Sequence, residues 1–173
     1  MAKGIILAAL LGLSLAVMGN PGSRDELIKT YTSFVGVKEK TGNNDGYEVG
    51  LFLNSVGLKE GFAWCAAFVN YVCQLVGVET PSNAPAWSPS WFPKAKTIPK
   101  ETAFRGDVFG LYYSNLKRIG HVGFIDENWS EKGATIRTVE GNTNGDGSRE
   151  GDGVYIKHRN KKQIYKVSRW IYD

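Results

Sequence analysis

The chain has 173 residues, of which 42% are hydrophobic and 22% are charged. This composition is typical of one compact globular domain with a sizeable core, and it excludes a disordered or low-complexity protein. The formal net charge is +4, and the main basic run, residues 157–162, comes without a nucleic-acid-binding motif. We therefore expect no nucleic-acid partner, while attraction to an anionic polymer such as a cell wall stays open.

Residues 1–19 have the pattern of a secretory signal peptide. Lys3 supplies a positive charge near the start, residues 5–17 form an uncharged apolar run, and Ala16 and Gly19 offer small residues for cleavage. The run is short for a membrane span, although an uncleaved anchor is the alternative. We expect residues 20–173 to form a single exported domain, secreted or periplasmic, in an oxidising compartment.

Helical patterns dominate the first half of this domain. Ser23 with Glu26 three residues later is a capping box, which predicts a helix start. Its expected inner face comprises Leu27, Tyr31, Phe34 and Val35. Residues 47–56 predict a second short helix, and apolar residues at helical spacing predict a third over residues 63–76.

Residues 80–99 contain five of the six prolines of the chain, together with Trp87 and Trp91. We expect a long ordered loop, and such loops inside compact domains often carry function. Exposed tryptophans suit contacts to sugar or peptide, so Trp87, Trp91 and also Trp64 are expected substrate contacts. The alternative for the loop tryptophans is that they pack over the core.

The second half of the chain changes to strand patterns, with β-branched and aromatic runs separated by Gly, Asn and Asp. About five strands are predicted: residues 106–112, 119–125, 134–139, 153–158 and 164–171. Because the connections are short, the sheet is expected to be antiparallel. Helices followed by strands predict an α+β fold.

Cys65 falls in the first turn of the third predicted helix. The unpaired N–H groups and the positive end of the helix dipole there favour thiolate over thiol, and the thiolate is the nucleophile. The alternative is a small buried hydrophobe. Cys73 lies roughly 12 Å further along the same helix, too far for a disulfide, and is expected in the core.

A cysteine nucleophile needs a general base, and the chain has two histidines. His121 opens a strand between small neighbours that let a partner approach, whereas His158 lies among cations that would repel an imidazolium. His121 is therefore the better candidate. Glu140 directly follows an apolar strand and can orient His121, and Asn142 is a second polar candidate. The alternative for Glu140 is a solvated charge at the end of a strand. The alternative for Asn142 is an ordinary polar residue of a turn.

These residues stand in a recognisable order. Phe-Ala-Trp-Cys-Ala-Ala-Phe-Val opens a helix, followed by Arg-Gly-Asp-Val, Gly-His-Val-Gly and Val-Glu-Gly-Asn-Thr. The set resembles the CHAP domain family, the cysteine, histidine-dependent amidohydrolases/peptidases of the papain-like superfamily, over about residues 45–172. The resemblance implies a helix-borne cysteine packed on an antiparallel sheet and hydrolysis of peptidoglycan amide bonds.

Carried over position by position, the resemblance makes Cys65 the nucleophile and His121 the general base and then acid. It makes Glu140 the residue that orients His121, and Asn142 an additional polar site residue. The bond cleaved is left open between the muramoyl–L-alanine bond of an amidase and the stem-peptide or cross-bridge bonds of an endopeptidase. Other interpretations are a catalytically silent wall-binding module, or an antibacterial toxin effector with an immunity partner.

We expect no cofactor and no metal, with calcium as the alternative. One set of residues resembles the first half of a calcium loop: Asn142, Asn144, Asp146 and Gly147. Gly153 stands where that loop requires glutamate. A second weak set lies near the stretch where some CHAP relatives bind calcium: Asn43, Asn44, Asp45 and Glu48. Turns use the same residue types, and zinc has no ligand set.

The expected partner is peptidoglycan, bound by a monomer. Many CHAP relatives carry a separate wall-binding domain, and we expect no such domain within residues 20–173. Targeting is then expected from the catalytic domain, from the Trp87/Trp91 loop, or from a targeting protein.

Overall fold

The computed structural model describes residues 22–145 and 151–172. The expected signal peptide, residues 1–19, lies outside these residues, and so do Asp146 and Gly147 of the expected calcium loop. The described part of the chain has three α-helices followed by a six-stranded antiparallel sheet, which confirms the α+β prediction. None of its helices has both the length and the apolar character needed to cross a membrane.

The helices are α1 (Arg24–Ser33), α2 (Tyr47–Asn54) and α3 (Cys65–Leu75). The capping box of α1 is present, since the Ser23 hydroxyl accepts from the backbone N–H of Glu26 while the Glu26 carboxylate accepts from that of Ser23. Leu27 and Tyr31 are buried as predicted. Val35 is not on the inner face, because it lies beyond the end of α1 and is 36% exposed.

The strands are β1 (Thr97–Ile98), β2 (Val108–Tyr113), β3 (Arg118–Ile125), β4 (Thr135–Thr143), β5 (Gly153–Asn160) and β6 (Ile164–Ser168). Their order in the sheet is β1-β6-β2-β3-β4-β5. The sheet has one strand more than the expected five, because the two residues of β1 pair with β6 from within the proline-rich segment. A strand of two residues is too short to show an alternating pattern.

Helix α3 forms the centre of the core. Its buried residues lie on all sides, because α1 and α2 cover one face and β3 and β4 the other. Phe68 packs edge-on against Phe52 of α2 at 5.4 Å and Phe124 of β3 at 6.0 Å, measured between ring centroids. Cys73 is 1% exposed within this core, as its place on the apolar stripe predicts. Both cysteines are free.

Strands β3 and β4 are paired over only part of their length. The pairs are Phe124 with Val139 and Ile125 with Thr138, although β3 also contains His121 and β4 extends to Thr143. In the part of β3 that β4 does not pair, backbone N–H and C=O groups are therefore not hydrogen-bonded to β4. This is the region of the sheet that faces the start of α3.

Candidate active site

Cys65 is the first residue of α3 and is 6% exposed. The preceding residue, Trp64, is the N-cap and makes no side-chain cap, so no capping side chain covers the first backbone N–H groups of the helix. Trp64 is fully buried, and its indole N–H donates to Glu39 at 2.8 Å. The turn before Cys65 is therefore anchored by a buried indole.

Three groups surround the Cys65 sulfur. The Ser88 hydroxyl lies 3.8 Å from Sγ, and Ser88 belongs to a short 3₁₀ turn, Ser88–Trp91, in the proline-rich segment. The backbone N–H of Val122 and the imidazole of His121 both interact favourably with the thiolate. The N–H of Val122 lies in the part of β3 that β4 does not pair, which explains how a strand amide comes to face a sulfur.

His121 and Glu140 form the next contact of the site. His121 Nε2 lies 2.8 Å from Glu140 Oε2, and both side chains are buried. Because Nε2 faces the carboxylate, Nδ1 is the ring nitrogen left for Cys65. The structure thus joins Cys65, His121 and Glu140 in one continuous line across α3, β3 and β4.

Glu140 is fully buried, and its carboxylate is surrounded by donors. The Thr138 hydroxyl donates to Oε1 at 2.6 Å, while Arg159 of β5 donates from Nε to Oε1 at 2.8 Å and from Nη2 to Oε2 at 2.6 Å. Burial alone would raise the pKa of Glu140, but hydrogen bonds and charges from Arg159 and His121 lower it well below its usual range. Glu140 is therefore an anion that keeps its orientation.

The charges of the line favour an ion pair. Burial by itself lowers the pKa of His121, yet hydrogen bonds and charge interactions with Cys65 and Glu140 raise it to about 9. Burial raises the pKa of Cys65, and the contacts with His121, Val122 and Ser88 lower it below its usual value. These two shifts favour a thiolate beside an imidazolium over the neutral thiol–imidazole pair.

Two glycines give the room that this line needs. A Cβ atom on Gly123 would lie 2.8 Å from the carbonyl oxygen of Val139 and 3.0 Å from Cγ of Glu140. On Gly141 it would lie 2.8 Å from Cβ of Phe68 and from the indole of Trp64. Gly123 lets Glu140 lie against β3, and Gly141 lets α3 lie against β4. Gly123 is one of the small neighbours of His121 noted in the sequence, and its role is to let Glu140 approach His121 closely.

The sequence did not single out Arg159, Thr138 or Ser88. Arg159 belongs to the basic run 157–162, yet it is not a solvated cation, since its side chain is 17% exposed and bound to Glu140. The alternation of β5 could have separated it from its exposed neighbour His158. Thr138 stands two residues before Glu140 and shares its face, whereas nothing in the sequence points to Ser88.

The second histidine lies outside the site. His158 is exposed on β5, opposite Arg137 of β4. The structure therefore brings His121, rather than His158, to the cysteine.

The three expected tryptophan contacts have different environments. Trp87 is 51% exposed. Trp91 is buried, with its indole N–H donating to the Pro85 carbonyl at 3.0 Å and its ring packed on Trp170. Trp64 is also buried, so Trp64 and Trp91 serve the core and have no open face for a substrate. Trp87 keeps the surface that a substrate contact needs.

Asn142 lies beside the line rather than in it. Its φ is 53°, a left-handed conformation that asparagine tolerates, and its Nδ2 donates to Asn44 Oδ1 at 2.8 Å. With that partner it borders a groove of about 560 Å³, which we call the Asn groove. The groove is lined by Gly42, Asn43, Asn44, Gly61, Ala63, Asn142 and Gly151. Ala63 and Gly61 belong to the segment that leads into α3, so the groove lies next to the start of this helix.

The residues of the second calcium set fit a metal poorly. The Asp45 carboxylate accepts from both the backbone N–H and the hydroxyl of Thr41, and the Asn44 amide oxygen is taken by Asn142. Within residues 22–145 and 151–172, no cluster of three or more His, Cys, Asp or Glu side chains could hold a metal ion. We therefore derive no chemical step through calcium.

Comparisons with solved structures show the fold of the chain. Two solved structures share the fold: the peptidoglycan hydrolase RipB from Mycobacterium tuberculosis, with a TM-score of 0.54 and 20% identity, and the endolysin LysIME-EF1, with a TM-score of 0.54 and 18% identity. The matches cover 87% and 88% of this chain but only 65% and 66% of those chains. Among curated proteins, no sequence matches the chain.

The family comparison concerns the part of the chain that holds the site. A family model described as the CHAP domain matches residues 57–142. This segment begins before α3 and ends at Asn142, so it contains Cys65, His121 and Glu140. Residues 57–142 are thereby assigned to the CHAP domain family.

Proposed function

We propose that the protein is a cysteine hydrolase that cleaves amide bonds in bacterial peptidoglycan. The observation that carries the proposal is the line from Cys65 through His121 to Glu140, whose pKa shifts favour a thiolate–imidazolium pair. The assignment of residues 57–142 to the CHAP domain family supports it, as do the structural neighbours, whose descriptions name a peptidoglycan hydrolase and an endolysin.

The proposed reaction starts from the ion pair. The Cys65 thiolate attacks the amide carbonyl carbon, and negative charge develops on the carbonyl oxygen. Backbone N–H groups in the first turn of α3, beginning with that of Cys65, have no intrahelical acceptor and can donate to this oxygen. His121 then gives its proton to the leaving amine, and water hydrolyses the thioester with His121 as general base.

The Asn groove is the proposed place for the peptide part of the substrate. Its glycines leave space for an extended chain, and the amides of Asn43, Asn44 and Asn142 can both donate to and accept from peptide groups. The exposed ring of Trp87 is the proposed contact for sugar or peptide on the side of the proline-rich segment. Asn142 is thus proposed to bind substrate rather than to orient His121.

The test is digestion of purified peptidoglycan by residues 20–173, with the products identified by mass spectrometry. Release of intact stem peptides would assign an amidase, and shortened stems or cut cross-links would assign an endopeptidase. A Cys65→Ser protein that keeps the thermal stability of the wild type should release no product. Equal digestion by both proteins, or by neither, would contradict the proposal.

We also propose that residues 1–19 direct export. Expression of the complete chain with the native first residues should yield an extracytoplasmic protein whose mass corresponds to a start near residue 20. A full-length protein retained in the cytoplasm would contradict this.

A further inference from the structure

A second concave surface lies where β2 ends and β6 begins. It is a cavity of about 520 Å³, and we call it the basic pocket. Its lining includes Lys100, Tyr112, Arg159, Lys162 and Tyr165. Neither Cys65 nor His121 lines it, and its connection to the candidate active site is Arg159, which donates to Glu140 from the neighbouring strand.

The charge of the basic pocket is one-sided. No carboxylate is among the residues that line it in the described part of the chain. Arg159 is neutralised by Glu140, but Lys100 donates only to the carbonyl oxygen of Ile164, at 2.9 Å, and packs near the Trp129 ring. Lys162 is exposed and forms no ion pair with residues 22–145 or 151–172. Two ammonium groups therefore line the cavity, and no carboxylate within residues 22–145 or 151–172 forms an ion pair with either of them.

The wall beside these cations is aromatic. Tyr112 of β2 and Tyr165 of β6 are 44% and 51% exposed, and their ring centroids lie 4.9 Å apart. The paired rings form a flat apolar surface with hydroxyl groups at its edge. Such a surface suits the face of a sugar ring, since one side is apolar and the rim can hydrogen-bond.

We propose that the basic pocket binds a sugar-phosphate polymer of the cell wall, with a phosphodiester between Lys100 and Lys162 and a sugar on the Tyr112–Tyr165 pair. Ammonium groups act as point charges, which suits a phosphodiester with its single delocalised negative charge. The positive net charge, which is +4 for the complete chain and remains positive without residues 1–19, adds long-range attraction to such a polymer. This binding needs no bond cleavage, so it stands independently of the proposed hydrolysis.

The experiment measures sedimentation of the Cys65→Ser protein with purified walls, either untreated or stripped of phosphodiester-linked polymers by hydrofluoric acid. We expect the stripped walls to bind at least about tenfold more weakly. On untreated walls, Lys162→Glu and the double change Tyr112→Ala with Tyr165→Ala should each weaken binding about tenfold. The matched control is Lys94→Glu, which makes the same charge change at an exposed lysine outside the pocket and should have less than about a twofold effect.

Three results would overturn the proposal. Equal binding to both wall preparations would exclude the phosphodiester, and an equal loss in Lys94→Glu would reduce the effect to net charge. Loss of hydrolysis of a soluble, phosphate-free stem-peptide fragment in an otherwise wild-type Lys162→Glu protein would make the pocket part of the catalytic groove.

If no variant hydrolyses anything but wall binding still depends on the residues of the basic pocket, the proposed function fails and this inference stands. Thermal unfolding of each variant separates loss of binding from loss of folding.

Discussion

At the scale of single residues, the site depends on the groups that offset the cost of burying the Glu140 carboxylate. Removing a carboxylate from water costs several kcal/mol unless charged partners and hydrogen bonds surround it. Glu140 has Arg159 on both oxygens, Thr138 on one and His121 on the other. Because these partners come from three strands, the anion is fixed in position as well as in charge, and His121 is oriented through it.

The ion pair predicts the alkaline limit of activity. The pKa of His121 is raised to about 9, so the imidazolium that protonates the leaving amine is present below that pH and is lost as the pH rises through it. We expect kcat/KM on a soluble peptidoglycan fragment to fall above about pH 9. A decline already centred near the ordinary histidine value of about 6.5 would contradict the thiolate–imidazolium pair.

Arg159 should act through Glu140. Arg159→Met leaves Glu140 with fewer donors, so we expect kcat to fall about tenfold or more as His121 loses its orientation. Arg159→Lys keeps the charge but not the two-point contact, and should recover part of the activity. The measurement is kcat and KM separately, because a purely structural loss would lower the amount of folded enzyme without this partial rescue.

His158, the neighbour of Arg159 on β5, provides the control for the Arg159 variants. His158→Ala changes an exposed side chain on the same strand, and its kcat should stay within about twofold of the wild type. A loss as large as that of His121→Ala would reverse the choice of the general base.

At the scale of elements, the close packing of α3 on β4 sets the position of Cys65, the proposed nucleophile. The contact is tight where Gly141 meets Phe68 and Trp64, one helical turn or less from Cys65. The proline-rich segment closes the other side, bringing Ser88 to the sulfur and burying Trp91. A helix held from both sides can keep a reactive thiolate aligned with a histidine on a neighbouring strand.

Gly141→Ala should separate α3 from β4. The added Cβ atom would lie 2.8 Å from Phe68 and Trp64, so the helix must move, and we expect a loss of about 1–3 kcal/mol in the free energy of unfolding. Urea denaturation measures it. Gly145→Ala is the matched control, since a Cβ atom there meets nothing within 4 Å. Equal stabilities for the two variants would contradict the tight contact.

Cys73 belongs to the same helix but should contribute only packing. Burial raises the pKa of its thiol, so it stays protonated and unreactive. Cys73→Ala is expected to lower the free energy of unfolding by about 1–3 kcal/mol with kcat unchanged. Alkylation by iodoacetamide at neutral pH, followed by peptide mapping, should modify Cys65 and leave Cys73 intact. Preferential modification of Cys73 would contradict both roles.

At the scale of the whole molecule, Asp107 joins distant parts of the chain. Its fully buried carboxylate accepts from Arg24 of α1 at 3.3 Å, and from Arg169 after β6 at 3.0 and 2.8 Å. Arg24 also donates to the carbonyl oxygens of Arg105 and Ile171. The first helix, the residue before β2 and the segment after β6 therefore meet at one charged centre.

Asp107→Asn should destabilise the fold without changing the chemistry. It leaves two partly buried arginines without their anion, and we expect a loss of about 3–5 kcal/mol in the free energy of unfolding. Glu131→Gln removes the same charge from an exposed position and should stay within about 0.5 kcal/mol of the wild type. The pH profile of the remaining folded enzyme should be that of the wild type, and a shifted profile would place Asp107 in the site.

The sequence by itself determined the features that depend on neighbouring residues. The capping box fixed the start of α1, the apolar spacing located α3 with Cys65 in its first turn, and alternating runs located five of the six strands. The motifs around Cys65, His121 and Glu140 identified the family. These are local signals, because caps, periodicity and motif spacing involve residues a few positions apart.

Only the tertiary structure decided what depends on register and on contacts far apart in the chain. Arg159 reaches Glu140 because β5 pairs with β4, Ser88 reaches Cys65 because the proline-rich segment folds back, and Val122 faces the sulfur because the β3–β4 pairing stops early. The same contacts buried Trp64 and Trp91, which composition alone would allow on the surface. A side chain shows its type in the sequence, but its partner, its burial and therefore its pKa follow from the packing of the folded chain.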